Sequence, residues 1–541
     1  MEEVGAQGIR PEVIAMMMSR ILRVVPVFLV ALAAAAPAQD AVDEFKKYIR
    51  SKEVAVRRDQ VERLARVNTV EAASLLMAKG LTDPDYSVRE KAQWSLSRLT
   101  DEARLAVYSG LSSPKPSIRE GVCMAISQMK HSEAEPPFDT IGGLVTADRS
   151  ELVRAAAAES LGMMSASKAV PAIISGLNDG KERVVIACAD ALGLIADPRG
   201  GAPLIPLLDH ASWRAQVAAL SAMAKIRSRK TIGPVIEYLA VAQGRAREDA
   251  HRALTKITNR QYGMNPDTWR EWWGRMEKTD WKVPPAPKKV EVKAVPGGKD
   301  GYGRNKPTRY HRITTYSKRI IFVIDISNSM KTPILVKEGK ETKGRRLSVG
   351  VEKMLLAREE LKRTLEAMDS STYFNVIAFE TDIRKFKKSP VKASAGNVQA
   401  ATRWLEKQKP RGAARTTVGK ASSNVNKQGW IRGKTNSYGA LAEVYGLKVD
   451  HERGGVRSTT ASPSPSGKKR PRWDTCFFLS DGRPTVGVVT DIELILQDVK
   501  RWNKTCKMVI HCIGMENEQG LADLLRGLAR VTGGQTVFLG K

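Results

Sequence analysis

The stretch Arg319–Met330, RIIFVIDISNSM, constrains this chain more than any other. Ile320 to Ile324 is an unbroken apolar run of strand-forming residues, the pattern of a central parallel strand covered on both faces. The run ends in Asp325, Ser327 and Ser329, so a carboxylate and two hydroxyls leave the carboxyl end of one strand in close succession. Oxygen donors spaced this closely suit a hard divalent cation. The same three residues are also good helix N-caps, and in isolation capping explains them equally well.

Two downstream segments tip the balance. Gly433–Leu441 reads GKTNSYGAL, and Cys476–Gly482 reads CFFLSDG, a second apolar strand that ends in Ser480 and Asp481. With these three segments in this order, residues 318–541 resemble the von Willebrand factor type A domain family. The likeness includes the three loops of that family's metal-ion-dependent adhesion site. Asp325, Ser327 and Ser329 match the first loop, Thr435 the second and Asp481 the third. The resemblance implies a bound Mg2+, or Mn2+ or Ca2+ in its place, held by Asp325 and Asp481 with the three hydroxyls completing the shell. It also implies one open position, filled by a Glu or Asp carboxylate from a protein partner. Asn328 stands where the family usually has Gly, and Asn tolerates left-handed backbone better than most residues.

The elements around these loops alternate as a doubly wound, Rossmann-like α/β sheet requires. Helices are expected at 351–368, 398–407, 436–446, 492–503 and 516–532, and further strands at 373–379, 508–513 and 535–539. Three basic or Ser/Pro-rich insertions interrupt the pattern: Lys331–Arg346, Arg411–Gln428 and Lys448–Arg472. The last, with TTASPSPSGKKRPR, reads as disordered.

Upstream, residues 41–277 repeat themselves. VRRDQVERLARV at Val56, VREKAQWSLSRL at Val88, IREGVCMAISQM at Ile118 and VRAAAAESLGMM at Val153 are followed by weaker copies at Val184, Trp213 and Ala246. The period of roughly 30 residues is that of a helix-pair solenoid, in which each pair buries its apolar face on its neighbours. These copies resemble the HEAT family, in the short form also seen in bilin lyases. Asp83, Asp148, Asp179 and Asp209 are placed to cap the second helix of each pair. The recurring Arg at its first turn (Arg57, Arg89, Arg119, Arg154, Arg214, Arg247) opposes the helix dipole, which points to pairing with a neighbouring Asp and not to a ligand. Trp269, Trp272 and Trp273 make a stripe that reads as the terminal cap of the solenoid. Residues 278–317, with PPAPKK and VPGGKDGYG, form a basic linker that leaves the two domains no need of a large interface. The fold class is thus multidomain, an all-α HEAT-like solenoid followed by an α/β domain.

Lys and Arg exceed Asp and Glu by 88 − 58 = 30. About 26 of that excess falls from Lys278 onward. Such a field could face an anionic polymer or lipid, although no specific nucleic-acid motif is present. Cys123, Cys188, Cys476, Cys506 and Cys512 form no CxxC pair, and the six histidines lack ligand spacing. No nucleophile–base set, phosphate-binding Gly loop or metalloprotease motif suggests an enzyme. A lyase activity by analogy with the bilin lyases would rest on fold alone. The first reading is an exported, non-enzymatic adhesion or interaction protein. The alternative is a basic binder of anionic polymer or lipid with a vestigial metal site.

Export rests on residues 1–38, where Arg20 and Arg23 precede the apolar run Val24–Ala36 and the small-residue site Ala36-Pro37-Ala38. That run falls short of the about 20 residues a membrane helix needs. Glu2, Glu3 and Glu12 do not fit a basic leader, which points to a start at Met16, Met17 or Met18. The destination would be periplasmic, cell-surface or secreted. Mass spectrometry of native protein is expected to find Gln39 as the mature N-terminus. An intact preceding segment in a soluble cytoplasmic fraction would refute export.

Overall fold

The computed structural model describes residues 39–130, 135–286, 306–337, 348–410, 430–450, 455–456 and 473–540. The export segment 1–38, the middle of the linker and most of the three insertions lie outside the described residues. The chain divides into two compact units, Met1–Pro137 and Phe138–Lys541.

The first unit holds three copies of the repeat, in helices Val54–Ala65, Tyr86–Leu96 and Pro116–Ile126. Arg57 forks onto the Asp83 carboxylate through Nε at 2.8 Å and Nη2 at 3.0 Å, with both side chains buried. Its Nη1 also donates to the Ser51 carbonyl at 2.9 Å. Arg89 and Arg119 likewise bond the carbonyls of Asp83 and Ser113 in the turns before their helices. Arg57 therefore ties its turn to the next, as its position predicts, while Arg89 and Arg119 bond carbonyls of their own turns, and a planar five-donor fork suits both tasks. The expected caps differ. Asp83 accepts the amide two residues on, at Asp85, and Asp85 itself caps the helix. Asp148 and Asp179 in the second unit are likewise two residues ahead of the N-caps Ser150 and Lys181. At the Asp209 turn, the neighbouring His210 Nδ1 accepts from Ser212 instead. For Asp83 and Asp179 the reason is the arginine, which holds the carboxylate back in the turn.

The second unit carries the remaining copies in helices Glu151–Met163, Glu182–Ile195, Trp213–Ile226 and Arg245–Thr258. Arg154 repeats the fork on Asp179 at 2.6 and 2.9 Å. Successive helices lie backbone to backbone where a Cβ on Gly162 or Gly193 would come within 2.8 Å of the Cα of Ala191 or Ala222. Trp269, Trp272 and Trp273 are buried and pack with Trp281, closing the array as expected.

The same unit contains a sheet of seven strands: β1 Arg319–Asp325, β2 Tyr373–Phe379, β3 Ile383–Lys385, β4 Val391–Lys392, β5 Thr475–Ser480, β6 Val509–Gly514 and β7 Thr536–Phe538. Their order is β7-β6-β5-β1-β2-β3, with β4 also on β2. The strands from β7 to β2 are parallel, and β3 and β4 are antiparallel edges. The two faces of β1 explain its unbroken apolar run. Ile320, Phe322 and Ile324 pack with Met354, Leu361 and Leu365 on one side, and Ile321 and Val323 with Leu441, Trp502 and Leu525 on the other. Phe322 stacks on Phe477 of β5 at 5.4 Å. All five cysteines are buried and none forms a disulfide, as small core residues.

Two hairpins depart from expectation. Thr308–Tyr310 pairs with Ile313–Thr315 inside the stretch read as linker, turning through positive φ at His311 and Arg312. Tyr310, fully buried, packs edge-on to Phe322 and Phe477, and hydrophobic burial thereby draws this stretch into the α/β core. Pro333–Lys337 pairs with Ser348–Glu352, so the helix expected from 351 begins at Lys353. Val351 is taken by the strand.

The linker was also expected to leave the solenoid and the sheet without a large interface. Instead helix Arg245–Thr258 meets the amino-terminal edge of the sheet. Arg245, only 7% exposed, ion-pairs with Asp249 at 3.1 Å and donates to the carbonyl of Asp474 at 2.9 Å and to that of Lys507. Glu248 accepts from the Tyr316 amide and the Thr315 hydroxyl just ahead of β1. Lys507 pairs with Asp190 at 2.5 Å. Among the described residues no helix is long and apolar enough to cross a membrane.

Arg245→Ala strips the carbonyls of Asp474 and Lys507 of a donor and leaves Asp249 with Arg252, which should cost about 3 kcal/mol. Urea unfolding of the full chain checks this. An unchanged midpoint would show that the residue does not join solenoid to sheet.

Candidate metal centre

The sheet order reverses at β1, whose neighbours β2 and β5 connect in opposite directions. In open α/β sheets the crevice beyond the carboxyl ends at such a point is where ligands bind. β1 ends there in Asp325, and β5 ends in Ser480 with Asp481 next.

Asp325 is fully buried and held on both oxygens. Oδ1 accepts from the Ser327 amide at 2.8 Å, and Oδ2 from the Ser480 hydroxyl at 2.6 Å. Ser327 Oγ lies 3.0 Å from Ser329 Oγ, and Ser329 Oγ donates to Asp481 Oδ1 at 2.8 Å. Ser327, Ser329 and Asp481 thus form one continuous chain of oxygens, and Asp325 joins it through the Ser327 amide. Thr435 reaches the same edge through the backbone. Its amide donates to Thr485 Oγ1 at 2.9 Å, its carbonyl accepts from the Thr485 amide at 3.0 Å, and its Oγ1 is 3.9 Å from where a Cβ on Gly482 would stand.

The second loop is tied down by Glu380, just past β2. Its buried carboxylate accepts from the Gly433 amide at 2.5 Å and pairs with Arg384 at 2.8 Å. The Gly433 carbonyl accepts from the Asn328 amide at 2.9 Å, which joins the first loop to the second. Asn328 opens a 3-10 turn, Asn328–Lys331, and is absent from the positive-φ residues, so the loop keeps its form without left-handed backbone there.

Burial, and then the nearby Asp481, push the Asp325 carboxyl up to about 7. Folding therefore places a negative charge where water no longer stabilises it, beside a second carboxylate. A bound cation would relieve that. The donors are all oxygens, as magnesium, manganese and calcium prefer. Neighbouring ligands of an octahedral magnesium stand about 2.9 Å apart. The 3.0 and 2.8 Å spacings along Ser327, Ser329 and Asp481 fit such edges. Among the described residues no group of three or more His, Cys, Asp or Glu is placed to hold a metal, so any site here depends on its hydroxyls.

Local sequence missed Lys353. Its ammonium, at the first turn of helix Lys353–Ala367, is 2% exposed and reaches Asp481 Oδ2 at 3.0 Å, with Glu516 as its other partner. Burial works against its charge, but bonds to Glu516 and Asp481 outweigh that and leave its pKa above the ordinary value. Nothing in the sequence signals this contact, which joins residues 128 positions apart in the chain. The role of Ser480 was legible only as its adjacency to Asp481.

This is the architecture of an α/β domain with a hydroxyl and carboxylate cluster at the switch point of a parallel sheet, appended to a helical solenoid. Residues 139–209 match the family model of HEAT repeats, and residues 348–538 that of the von Willebrand factor type A domain. The chain thus carries HEAT-like repeats within 139–209 and a von Willebrand factor type A domain within 348–538. Thr435 and Asp481 lie inside the matched segment, and Asp325, Ser327 and Ser329 lie ahead of it. Inter-alpha-trypsin inhibitor heavy chain H1 of Sus scrofa is 26% identical over 188 residues, which are 35% of this chain and 15% of that relative. Among solved structures, a von Willebrand factor type A protein from Catenulispora acidiphila is similar at 17% identity and TM-score 0.26, over 42% of this chain and 40% of its own. The CpcE and CpcF complex of phycocyanin lyase from Nostoc is similar at 20% identity and TM-score 0.25, over 43% and 91%.

Ser480→Ala would leave Asp325 Oδ2 buried without its hydroxyl donor, a loss of about 2 kcal/mol. Thermal unfolding in chelator measures it, and an unchanged melting temperature would mean that this hydrogen bond does not hold the strand ends together.

Proposed function

We propose that the α/β domain is a divalent-cation-dependent protein-binding module and that the chain works outside the cytoplasm as an interaction protein, not as an enzyme. One observation carries this reading: Ser327, Ser329 and Asp481 stand at octahedral-edge spacings beside the buried Asp325 carboxylate. Asp325 and Asp481 would hold Mg2+, Mn2+ or Ca2+, directly or through water, and Ser327, Ser329 and Thr435 would complete its shell. The ion supplies a Lewis-acidic coordination position to which a carboxylate of the partner binds. Each loop that brings a ligand also brings an exposed cation within two residues of it: Lys331, Lys434 and Arg483. Such a rim favours an acidic partner. The match of residues 348–538 to the von Willebrand factor type A domain supports an interaction role. The solenoid would serve as scaffold.

The net charge of +30 keeps a second reading open, a salt-sensitive binder of anionic polymer or lipid. Chelator decides between them. In the full chain, millimolar Mg2+ or Mn2+ should raise the melting temperature relative to chelator, the added stability being about 2.7 kcal/mol at a hundredfold excess over the dissociation constant. Asp325→Asn removes one of the two repelling charges. It should melt no lower than wild type in chelator, yet lose most of the metal-induced rise and the chelator-sensitive capture of partner. A wild type without any metal-dependent shift, or an Asp325→Asn variant that keeps it, would refute the metal reading.

A further inference from the structure

The contact of Lys353 with Asp481 is not accounted for by the cation reading, which needs only the carboxylate. Lys353 follows directly on the hairpin Pro333–Lys337/Ser348–Glu352, and its amide donates to the Thr332 carbonyl at 3.2 Å. The Thr332 amide and hydroxyl in turn donate to the Ser329 carbonyl at 3.0 and 2.7 Å. Closure of the hairpin thus fixes the root of the lysine one short step from the first ligand loop. The side chain, 2% exposed, then places Nζ 3.0 Å from Asp481 Oδ2, while the other oxygen of the same carboxylate accepts from Ser329. Glu516, from the segment after β6, grips the same ammonium.

We propose that Lys353 is a built-in counter-cation of the site, which neutralises Asp481 in the metal-free protein and competes electrostatically with the divalent ion. The inference rests on the metal reading above. A buried ammonium beside one of two buried carboxylates does part of the work of an ion. It keeps the loops assembled in chelator and opposes the approach of further positive charge, because like charges in a site shielded from water repel far more strongly than in solution. The site would therefore be preformed and of restrained affinity, filling and emptying as the divalent ion concentration changes.

The test is isothermal titration of the full chain with Mn2+, together with melting in chelator. Lys353→Met should bind Mn2+ on the order of tenfold more tightly than wild type, since a full opposing charge is removed. It should also melt at a lower temperature in chelator. Lys353→Gln keeps a donor toward Asp481 without the charge and should show the same tightening, which serves if the Met variant does not fold. Lys353→Arg, which keeps the charge, should bind as wild type does. A lysine that only packs, or only orients Asp481, predicts unchanged or weaker Mn2+ binding in the neutral variants, and that result would overturn the proposal. If wild type binds no Mn2+ but a neutral variant does, the metal reading fails for the native chain while the counter-cation stands. If neither binds, both fail.

Discussion

Two carboxylates taken out of water at adjacent strand ends are the constraint that shapes the α/β domain. Asp325 and Asp481 stand where β1 and β5 lie side by side, and burying both charges is unfavourable unless each is compensated. The surrounding structure answers with the Ser327 amide and Ser480 hydroxyl on Asp325, and the Ser329 hydroxyl and Lys353 ammonium on Asp481. The loops are then held to one another, Glu380 gripping Gly433 and Gly433 accepting from Asn328. A cluster so cross-braced holds its oxygens on rigid strand ends.

The opposite edge of the same strands belongs to the solenoid. Asp474 immediately precedes β5, and its carbonyl accepts from Arg245 of helix Arg245–Thr258, while the other end of β5 delivers Ser480 and Asp481. Tyr316, just before β1, donates its amide to Glu248 of the same helix. The two strands that carry the carboxylates are therefore anchored at their starts on the helical array. The solenoid has its own internal brace in the forks of Arg57 on Asp83 and Arg154 on Asp179. The long basic linker does not hold these parts apart, because residues on either side of it make buried contacts.

Much of this was legible along the chain. The apolar run of β1, with alternate residues on opposite faces, could only be a strand covered twice, and it is. The arginine pairing followed from the unfavourable placement of a cation at a helix start. Legibility failed where partners are distant. Tyr310 sits in a stretch whose composition reads as linker, yet it is buried on Phe322 and Phe477. Asp83 has the type of a cap, but the arginine of another repeat claims its carboxylate. Val351 continued a helical pattern until pairing with Ile334 drew it into a hairpin.

By itself the sequence determined the class of each half and the three segments that carry Asp325, Thr435 and Asp481, because periodicity and residue type at strand ends are local properties of a chain. Only the tertiary structure decided that Ser329 and Asp481 hydrogen-bond, that Lys353 enters the site, and that Arg245 joins the solenoid to the sheet. The reason is physical. A buried charge is placed by whichever opposite charge or carbonyl the fold brings within reach, and that partner lies in Asp481 for Lys353 and in Asp474 for Arg245, far along the chain, where no local pattern records it.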